Sequence, residues 1–299
     1  MSATENPLRR YLALPATTRQ EQLFTLAWPL AQRFAERAAA HDHAASFAHE
    51  NIADLHTAGL LGLAVPQSYG GLGANEAEAA QVVELVAWGD ASTALAFGMH
   101  VSITGQMATA PTLWPEHAPR MLTEAARDGA MLNAAQAEPE MGSPAHGGVP
   151  MTTATRQADG GWRMSGRKVF TTGAPALRYF LVMATIVEDA QPARVGNFLV
   201  PADFPGVSIE QTWQGLALRS SGSDDLVLDD VPLPADALLD ERAPGAPDPR
   251  GALGLPWGAL IVSSVYIGLA LAARDECVEF AASRVPSGLG RPIATIPSV

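Results

Sequence analysis

The sequence contains a single cysteine, Cys277, among its 299 residues, so no disulfide bond can form within the chain. Because Cys277 lies in an apolar helical stretch, we expect its side chain to be buried. Lysine is just as scarce, since Lys168 stands alone beside 18 arginines. Lys168 falls in a predicted strand, where we expect an exposed charge.

Positive charge and long apolar runs are also lacking. The formal net charge of −12 argues against nucleic acid as a partner, because nucleic-acid binding depends on basic surfaces. The longest apolar candidate, residues 259–273, is shorter than the roughly 18 residues of a membrane span, so we expect none. The first residues lack the basic and apolar segments of a signal peptide, which predicts a cytoplasmic protein. The spacings of His41, His43, His49 and His56 match no common zinc pattern, so we expect no metal.

The first part of the chain has the apolar spacing of helices. Helices are predicted at residues 18–40, 46–58, 75–88, 92–110 and 115–128. Pro29 should bend or restart the first helix, and Ser46 should cap the second. Trp88, Met99, His100 and Met107 are interpreted as core, with a role in lining an acyl pocket as the alternative.

The middle of the chain changes to short strand-like runs. These lie at residues 152–157, 162–170, 179–186, 195–200, 207–212 and 225–231, and predict an antiparallel sandwich or barrel. A linker rich in Pro and Gly follows at residues 241–250, and residues 252–284 return to a helix. The expected class is α+β: an all-α domain at 1–130, a β domain at 131–240, and a linker with the start of a helical bundle at 241–299.

A loop and a strand end suggest a site for a flat cofactor that carries phosphates. Residues 136–150 contain Gly142 and Ser143, whose N–H and hydroxyl groups could hold phosphate oxygens. The strand at 162–170 ends in Phe170, which offers an aromatic face. Thr172 follows it and offers a hydrogen bond to a ring.

Four segments together resemble the acyl-CoA dehydrogenase family. A-E-P-E-M-G-S-P is similar to the family's T-E-P-x-x-G-S-D flavin loop, and G-R-K-V-F-T-T-G is similar to its G-x-K-x-W-I-T-N strand end. L-A-L-R-S-S-G-S-D-D-L-V-L-D-D-V-P-L-P resembles its G-x-R-x-S-x-T segment, and H-T-A-G-L-L-G-L-A-V-P-Q-S-Y-G-G-L-G-A resembles its N-terminal region. The segments occur in the family's order and cover nearly the whole chain.

The resemblance implies a flavin, FAD, and assigns residues to it. The implied cofactor-binding residues are Gln136, Ala137, Gly142, Ser143, Phe170, Thr171, Thr172 and Arg284, the last reaching the flavin of a neighbouring subunit. The implied substrate residues are Ser143 and Arg219, with a structural ion pair as the alternative for Arg219. The family's loop threonine is Ala137 here, its loop aspartate is Pro144, and its R-x-x-F is R-V-P-S, so FMN is a second possibility.

The implied activity is flavin-dependent acyl-CoA dehydrogenation in lipid metabolism. Such a reaction removes the α proton of an acyl thioester and transfers a hydride to flavin, and it needs a carboxylate base. One family position for that base falls near Gly258, which has no side chain, so we expect the base beyond Val299. Two alternatives stay open: a flavin-dependent monooxygenase of the same fold, and a non-catalytic fragment or interaction protein. The apolar helix at 252–284 predicts a homodimer or homotetramer.

Overall fold

The computed structural model describes residues 15–114, 117–140, 149–188, 191–248 and 250–296. Its α-helices are α1 (Thr18–Ala44), α2 (His49–Thr57), α3 (Glu76–Gly89), α4 (Ala91–Thr109), α5 (Ala118–Asp128) and α6 (Gly251–Ser283). Its strands are β1 (Met131–Ala135), β2 (Thr153–Arg156), β3 (Trp162–Thr171), β4 (Leu177–Val187), β5 (Arg194–Pro201), β6 (Val207–Glu210), β7 (Asp224–Leu233) and β8 (Leu238–Arg242). Helices, then strands, then a helix confirm the α+β class that the sequence predicts.

The first helix rules out a restart at Pro29, and the second corrects a predicted cap. α1 begins at a capping box formed by Thr17 and Gln20 and runs through Pro29 without a restart. Residues on both sides of Pro29 are buried, so tertiary packing holds the helix continuous despite the lost hydrogen bond. Ser46 does not cap α2, which begins at His49, because its hydroxyl lies 2.9 Å from Nδ1 of His41.

The strands form one eight-stranded sheet. Its order is β6-β7-β3-β2-β4-β5-β8. The remaining strand, β1, lies off this path and pairs with β4. Most described pairings are antiparallel, but β1 and β2 both run parallel to β4. The sequence-based interpretation missed β1 and β8. Their sequences, M-L-N-A-A and L-L-D-E-R, have few of the β-branched and aromatic residues that favour strands.

His100 joins the helices to the sheet. Its side chain is fully buried on α4, with Nε2 2.8 Å from the carbonyl oxygen of Leu61. The backbone N–H of Leu132 on β1 donates to Nδ1 at 3.2 Å. Since a carbonyl oxygen can only accept, Nε2 carries the hydrogen and the ring is neutral. Burial lowers the pKa of His100 from 6.5 to about 4, and the bond to Leu61 opposes part of this effect.

The long helix α6 packs against α3 and α4 by one face only. Ile261 and Val265 are fully buried, whereas Tyr266, Ile267 and Phe280 are about half exposed or more. The sequence predicts that the apolar run at residues 259–273 is too short to span a membrane. By length and composition, however, the helical segment Pro256–Ser283 is long and apolar enough, so this prediction is wrong by these two criteria. A core helix of a soluble protein passes the same test.

The side chain of Cys277, on the same helix, is exposed, so the prediction that it is buried is wrong. All the residues from Glu276 to Phe280 are exposed, so the last turns of α6 lie outside the core. Composition indicates a buried helix here, but it cannot tell which of its turns the rest of the chain covers.

Candidate functional site

A cavity of about 740 Å³ opens between α4, the start of α6 and one face of the sheet. Its apolar wall includes Met99 and Ile103 on α4 and Leu181 and Met183 on β4. Another part of the cavity wall contains Phe170, Thr172, Asn133 and Gln136. The cavity therefore joins the predicted strand end to an apolar space beside α4. His100 and Met107 are fully buried, as core residues should be, whereas Met99 lines the cavity.

Phe170 leaves the core face of β3 at a bulge. The pairing of β3 with β7 shifts between Lys168 and Thr171, and the backbone of Phe170 has a left-handed φ of 56°. A simple alternation puts Phe170 on the same side as the buried Trp162, but the bulge turns it outward. Its ring is 65% exposed and meets Trp213 edge-on, with the centroids 6.2 Å apart. The ring therefore has a face free for a ligand.

The hydroxyl of Thr172 belongs to a chain of three hydroxyl groups at the cavity wall. Thr172 Oγ1 lies 2.9 Å from the Ser223 Oγ, which lies 2.8 Å from the Ser221 Oγ. Asn133 also holds Thr172, because its Nδ2 donates to the carbonyl oxygen of Thr172 at 3.0 Å. Either hydroxyl can donate in each of these two contacts, and donation in the order Ser221, Ser223, Thr172 would leave the hydrogen of Thr172 for a ligand. Thr171 differs, because its side chain is fully buried.

Lys168 is fully buried, so the prediction of an exposed strand charge is wrong. Its Nζ donates to the Glu138 Oε1 at 2.6 Å. Glu138 also accepts from the backbone N–H groups of Met151 and Thr152. Burial raises the pKa of Glu138, but the bonds from Lys168 and Thr152 outweigh it and leave the pKa lowered. Burial lowers the pKa of Lys168, and Glu138 opposes only part of this. The pair joins β3 to both ends of the segment from Pro139 to Pro150.

The other predicted site residues lie in several places. Gln136 is at the cavity wall, and the carbonyl oxygen of Ala137 accepts from the N–H of Val169 at 2.9 Å. Gly142 and Ser143 lie outside the described residues. Arg219 donates from Nε to the carbonyl oxygen of Asp42 at 2.9 Å, which places a cation at the C-terminal turn of α1.

Arg284 lies at the end of α6, apart from the described cavity wall. It is the C-cap residue of α6, its side chain is exposed, and its backbone N–H donates to Phe280. Its contact with the flavin of a neighbouring subunit stays a prediction.

Three charged side chains that the sequence-based interpretation missed line another side of the cavity: Arg242, Asp248 and Arg250. Together with Asp240, which both arginines contact, they form the arginine–aspartate cluster. Arg242 lies 3.3 Å from Asp240 and 3.4 Å from Asp248, and Arg250 pairs with Asp240 and lies 3.8 Å from Asp248. The E-R-A-P-G-A-P-D-P-R stretch has the composition of a linker, so its charges suggested solvent exposure.

No described carboxylate at the cavity wall is unpaired. Asp248 is the one acidic residue of the described wall, and both arginines of the cluster contact it. Gly258 lies at the wall as well, and a β-carbon built on it would meet nothing within 4 Å. The described part of the cavity therefore offers no free carboxylate as a general base.

Two family models match the chain. The acyl-CoA dehydrogenase N-terminal domain matches residues 18–112, and the acyl-CoA dehydrogenase middle domain matches residues 133–231. The first match covers α1 to α4. The second covers most of the sheet, including Phe170 and Thr172.

Individual relatives agree with these models. YdbM of Bacillus subtilis (strain 168), provisionally named an acyl-CoA dehydrogenase, is 41% identical over 270 residues, 90% of this chain and 68% of its own. The amino sugar nitrososynthase RubN8 of Streptomyces rubradiris is 33% identical, over 91% of this chain and 64% of its own. A structure of KijD3 in complex with FMN and a dTDP-linked amino-keto sugar superposes with a TM-score of 0.79 at 31% identity, over 93% of this chain and 68% of its own. The chain thus spans about two thirds of these relatives, and it belongs to the acyl-CoA dehydrogenase family.

Proposed function

We propose that this chain is part of a flavin-dependent oxidoreductase and that the flavin ring binds where Phe170 and Thr172 meet the cavity. The observation that carries the proposal is the turned-out ring of Phe170 beside the hydroxyl of Thr172. A left-handed backbone is unfavourable for a bulky residue, which supports a role for the outward ring beyond packing.

The described residues fit a flavin. Phe170 provides an apolar face for a planar ring, and the hydroxyl chain ending at Thr172 provides a donor at the ring edge. Gln136 adds polar atoms at the same wall. When bound, flavin accepts a hydride or, once reduced, reacts with oxygen. The residues of this chain hold and orient the ring and exclude water from its face.

The first candidate reaction is dehydrogenation of an acyl thioester, with FAD as the cofactor. The apolar wall from Met99, Ile103 and Leu181 suits an acyl group, and the 41% identity to YdbM supports this reaction. The required base is then supplied by residues outside the described wall, because Asp248 is paired and Gly258 has no side chain.

The second candidate is an oxidation by oxygen with FMN, which needs no carboxylate base. The absence of an unpaired carboxylate at the described wall favours this reaction. The relative RubN8 supports it because its name is that of a nitrososynthase, and KijD3 supports it because its structure contains FMN.

A flavin spectrum of the full-length protein is the first test. Bound flavin is expected, and protein that takes up neither FAD nor FMN would overturn the proposal and favour a non-catalytic binding role. Anaerobic addition of butyryl-CoA then separates the reactions. Bleaching of the flavin indicates dehydrogenation. Turnover only with a flavin reductase and oxygen indicates the oxygen-dependent reaction.

The proposed assembly is a homodimer or homotetramer. The exposed apolar face of α6 supports it, as does the position of Arg284 at the end of that helix. In such an assembly Arg284 would approach the flavin of a neighbouring copy.

A further inference from the structure

The indole of Trp213 is held in place by its own loop. Its Nε1 donates to the carbonyl oxygen of Leu218 at 2.9 Å, and Leu218 has a left-handed φ of 52°. A β-carbon built on Gly215 would lie 2.5 Å from Cζ2 of the indole, so the backbone passes too close for any larger residue. Residues 212–218, the Trp213 loop, therefore fix the ring by a hydrogen bond and by close backbone packing.

A buried carboxylate ties the Trp213 loop to the end of β3. Oδ1 of Asp224 accepts from the backbone N–H groups of Thr212 and Trp213, both at 3.0 Å. Asp224 begins β7 and pairs with Thr171, the residue after Phe170. Because hydrogen bonds to a carboxylate are among the stronger ones, the loop and the bulge at Phe170 keep a fixed relative position.

The ring of Phe170 is the part of the proposed flavin site that most needs support. More than half of it is exposed, and its left-handed backbone is unfavourable for a bulky residue. An exposed side chain keeps rotamer freedom, and a ligand that binds it must remove that freedom at a cost in affinity. The edge-on contact with the fixed indole removes part of this freedom beforehand.

Trp213 is absent from the described cavity wall, whereas Phe170 belongs to it. An effect of the indole on a ligand in the cavity therefore has to pass through Phe170. We propose that Trp213 is a positioning residue, which fixes the plane of the Phe170 ring for the flavin. The inference rests on the proposed function and extends the cofactor site to the Trp213 loop and Asp224.

A double-mutant cycle between Trp213 and Phe170 tests the inference. The dissociation constants of FAD and FMN are measured by fluorescence titration of the full-length apoprotein. Trp213→Leu should weaken flavin binding about three- to tenfold, as expected for loss of one aromatic pair. In the Phe170→Leu background the same substitution should change the affinity by less than about twofold, because the ring on which it acts is gone.

Gly215→Ala provides a second perturbation, which keeps the indole. The added methyl group forces the loop or the indole to move, so this variant should weaken flavin binding as Trp213→Leu does and lose its effect without Phe170. Leu216→Ala is the matched control, because Leu216 is 98% exposed in the same loop, and it should bind flavin like the wild type. If Trp213→Leu does not fold, Gly215→Ala takes its place in the cycle.

Circular dichroism of the bound flavin separates positioning from a general loss of stability. At saturating flavin, a ring held in one orientation gives a visible signal that its surroundings induce. Trp213→Leu should reduce or reshape this signal, and Leu216→Ala should leave it unchanged. A variant that is only less stable would bind fewer flavin molecules, yet each bound flavin would keep the wild-type spectrum.

Three results would overturn the inference: equal flavin affinity in Trp213→Leu and Leu216→Ala, the same effect of Trp213→Leu with and without Phe170, or an unchanged visible spectrum in Trp213→Leu. The flavin site itself would stand in each of these cases. Wild-type protein that takes up neither FAD nor FMN would remove the proposed function, and the inference with it.

Discussion

Thr171 and Thr172 are neighbours at the end of β3, yet their hydroxyl groups have opposite surroundings. Thr171 Oγ1 is buried with no described partner, whereas Thr172 Oγ1 is at the cavity wall and bonded to Ser223. The bulge at Phe170 produces this difference, because it shifts the alternation of the strand by one residue.

Thr172→Ala should weaken flavin binding about tenfold, the effect of losing one hydrogen bond. The dissociation constant of the flavin can be measured by fluorescence titration of the apoprotein. Thr25→Ala serves as the control, because Thr25 is exposed on α1 and its hydroxyl donates to the carbonyl oxygen of Glu21. Equal affinity in the Thr172→Ala and Thr25→Ala variants would mean that Thr172 has no part in holding the ring.

His100 should make stability depend on pH in the mildly acidic range. Its pKa is about 4 in the folded protein and 6.5 ordinarily, so between these values the unfolded chain binds more protons. Stability is therefore complete above pH 6.5 and falls as pH drops toward 4, by about 3 kcal/mol at about 1.4 kcal/mol per pKa unit.

Urea unfolding of the His100→Gln variant checks this prediction. Glutamine can donate and accept like the neutral ring but does not titrate, so the slope of stability against pH between 4 and 6.5 should flatten. His43→Gln, which removes an exposed imidazole, should keep the wild-type slope. A parallel fall in all three proteins would attribute the pH effect to other groups.

Among the elements, α6 approaches α3 closely through a glycine. A β-carbon at Gly268 would lie 2.2 Å from the carbonyl oxygen of Glu84, whereas one at Gly258 would touch nothing within 4 Å. The Trp88 Nε1 also donates to Asp275 at 3.0 Å across the same pair of helices. The contact therefore depends on backbone proximity that no larger residue allows.

Two substitutions to alanine in α6 should have opposite effects on the melting temperature. Gly268→Ala should destabilise the protein by about 1–3 kcal/mol, because backbone must move to admit the methyl group. Gly258→Ala should stabilise it by about 0.5–1 kcal/mol, because alanine loses less conformational entropy in a helix. The same direction of change in both variants would contradict the close packing at Gly268.

Local sequence patterns predicted most of the elements but few of their partners. The first five helices and six of the strands follow from apolar spacing, which depends on neighbouring residues alone. The burial of Lys168 was missed, because it depends on Glu138, which lies 30 residues away in the sequence. Glu138 in turn accepts from the backbone N–H groups of Met151 and Thr152. Phe170 and Thr172 were found through local motifs, whereas Arg250 was missed because the partners that bury it lie on other elements.

At the scale of the whole molecule, the exposed face of α6 is an apolar surface that the other described elements do not cover. Tyr266, Ile267, Val278 and Phe280 are 49–58% exposed on one long helix. An exposed apolar surface of this kind is typical of an interface, which supports the proposed contact with another copy of the chain.

Ile267→Glu should shift the full-length protein toward a smaller assembly in sedimentation velocity, because burial of a charge opposes an apolar interface. Glu279→Gln, an exposed polar change on the same helix, should leave the assembly unchanged. A wild-type monomer that binds flavin would remove the proposed homo-oligomer and the role of Arg284 in it.

The bond from the Leu132 amide to the His100 ring has a consequence for hydrogen exchange. The amide hydrogen points at a fully buried ring nitrogen between α4 and the first strand of the sheet, so solvent cannot reach it by fraying of either element. Its exchange requires the helical layer and the sheet to separate. The protection of this one amide thus measures the free energy that keeps the two halves of the cavity wall together.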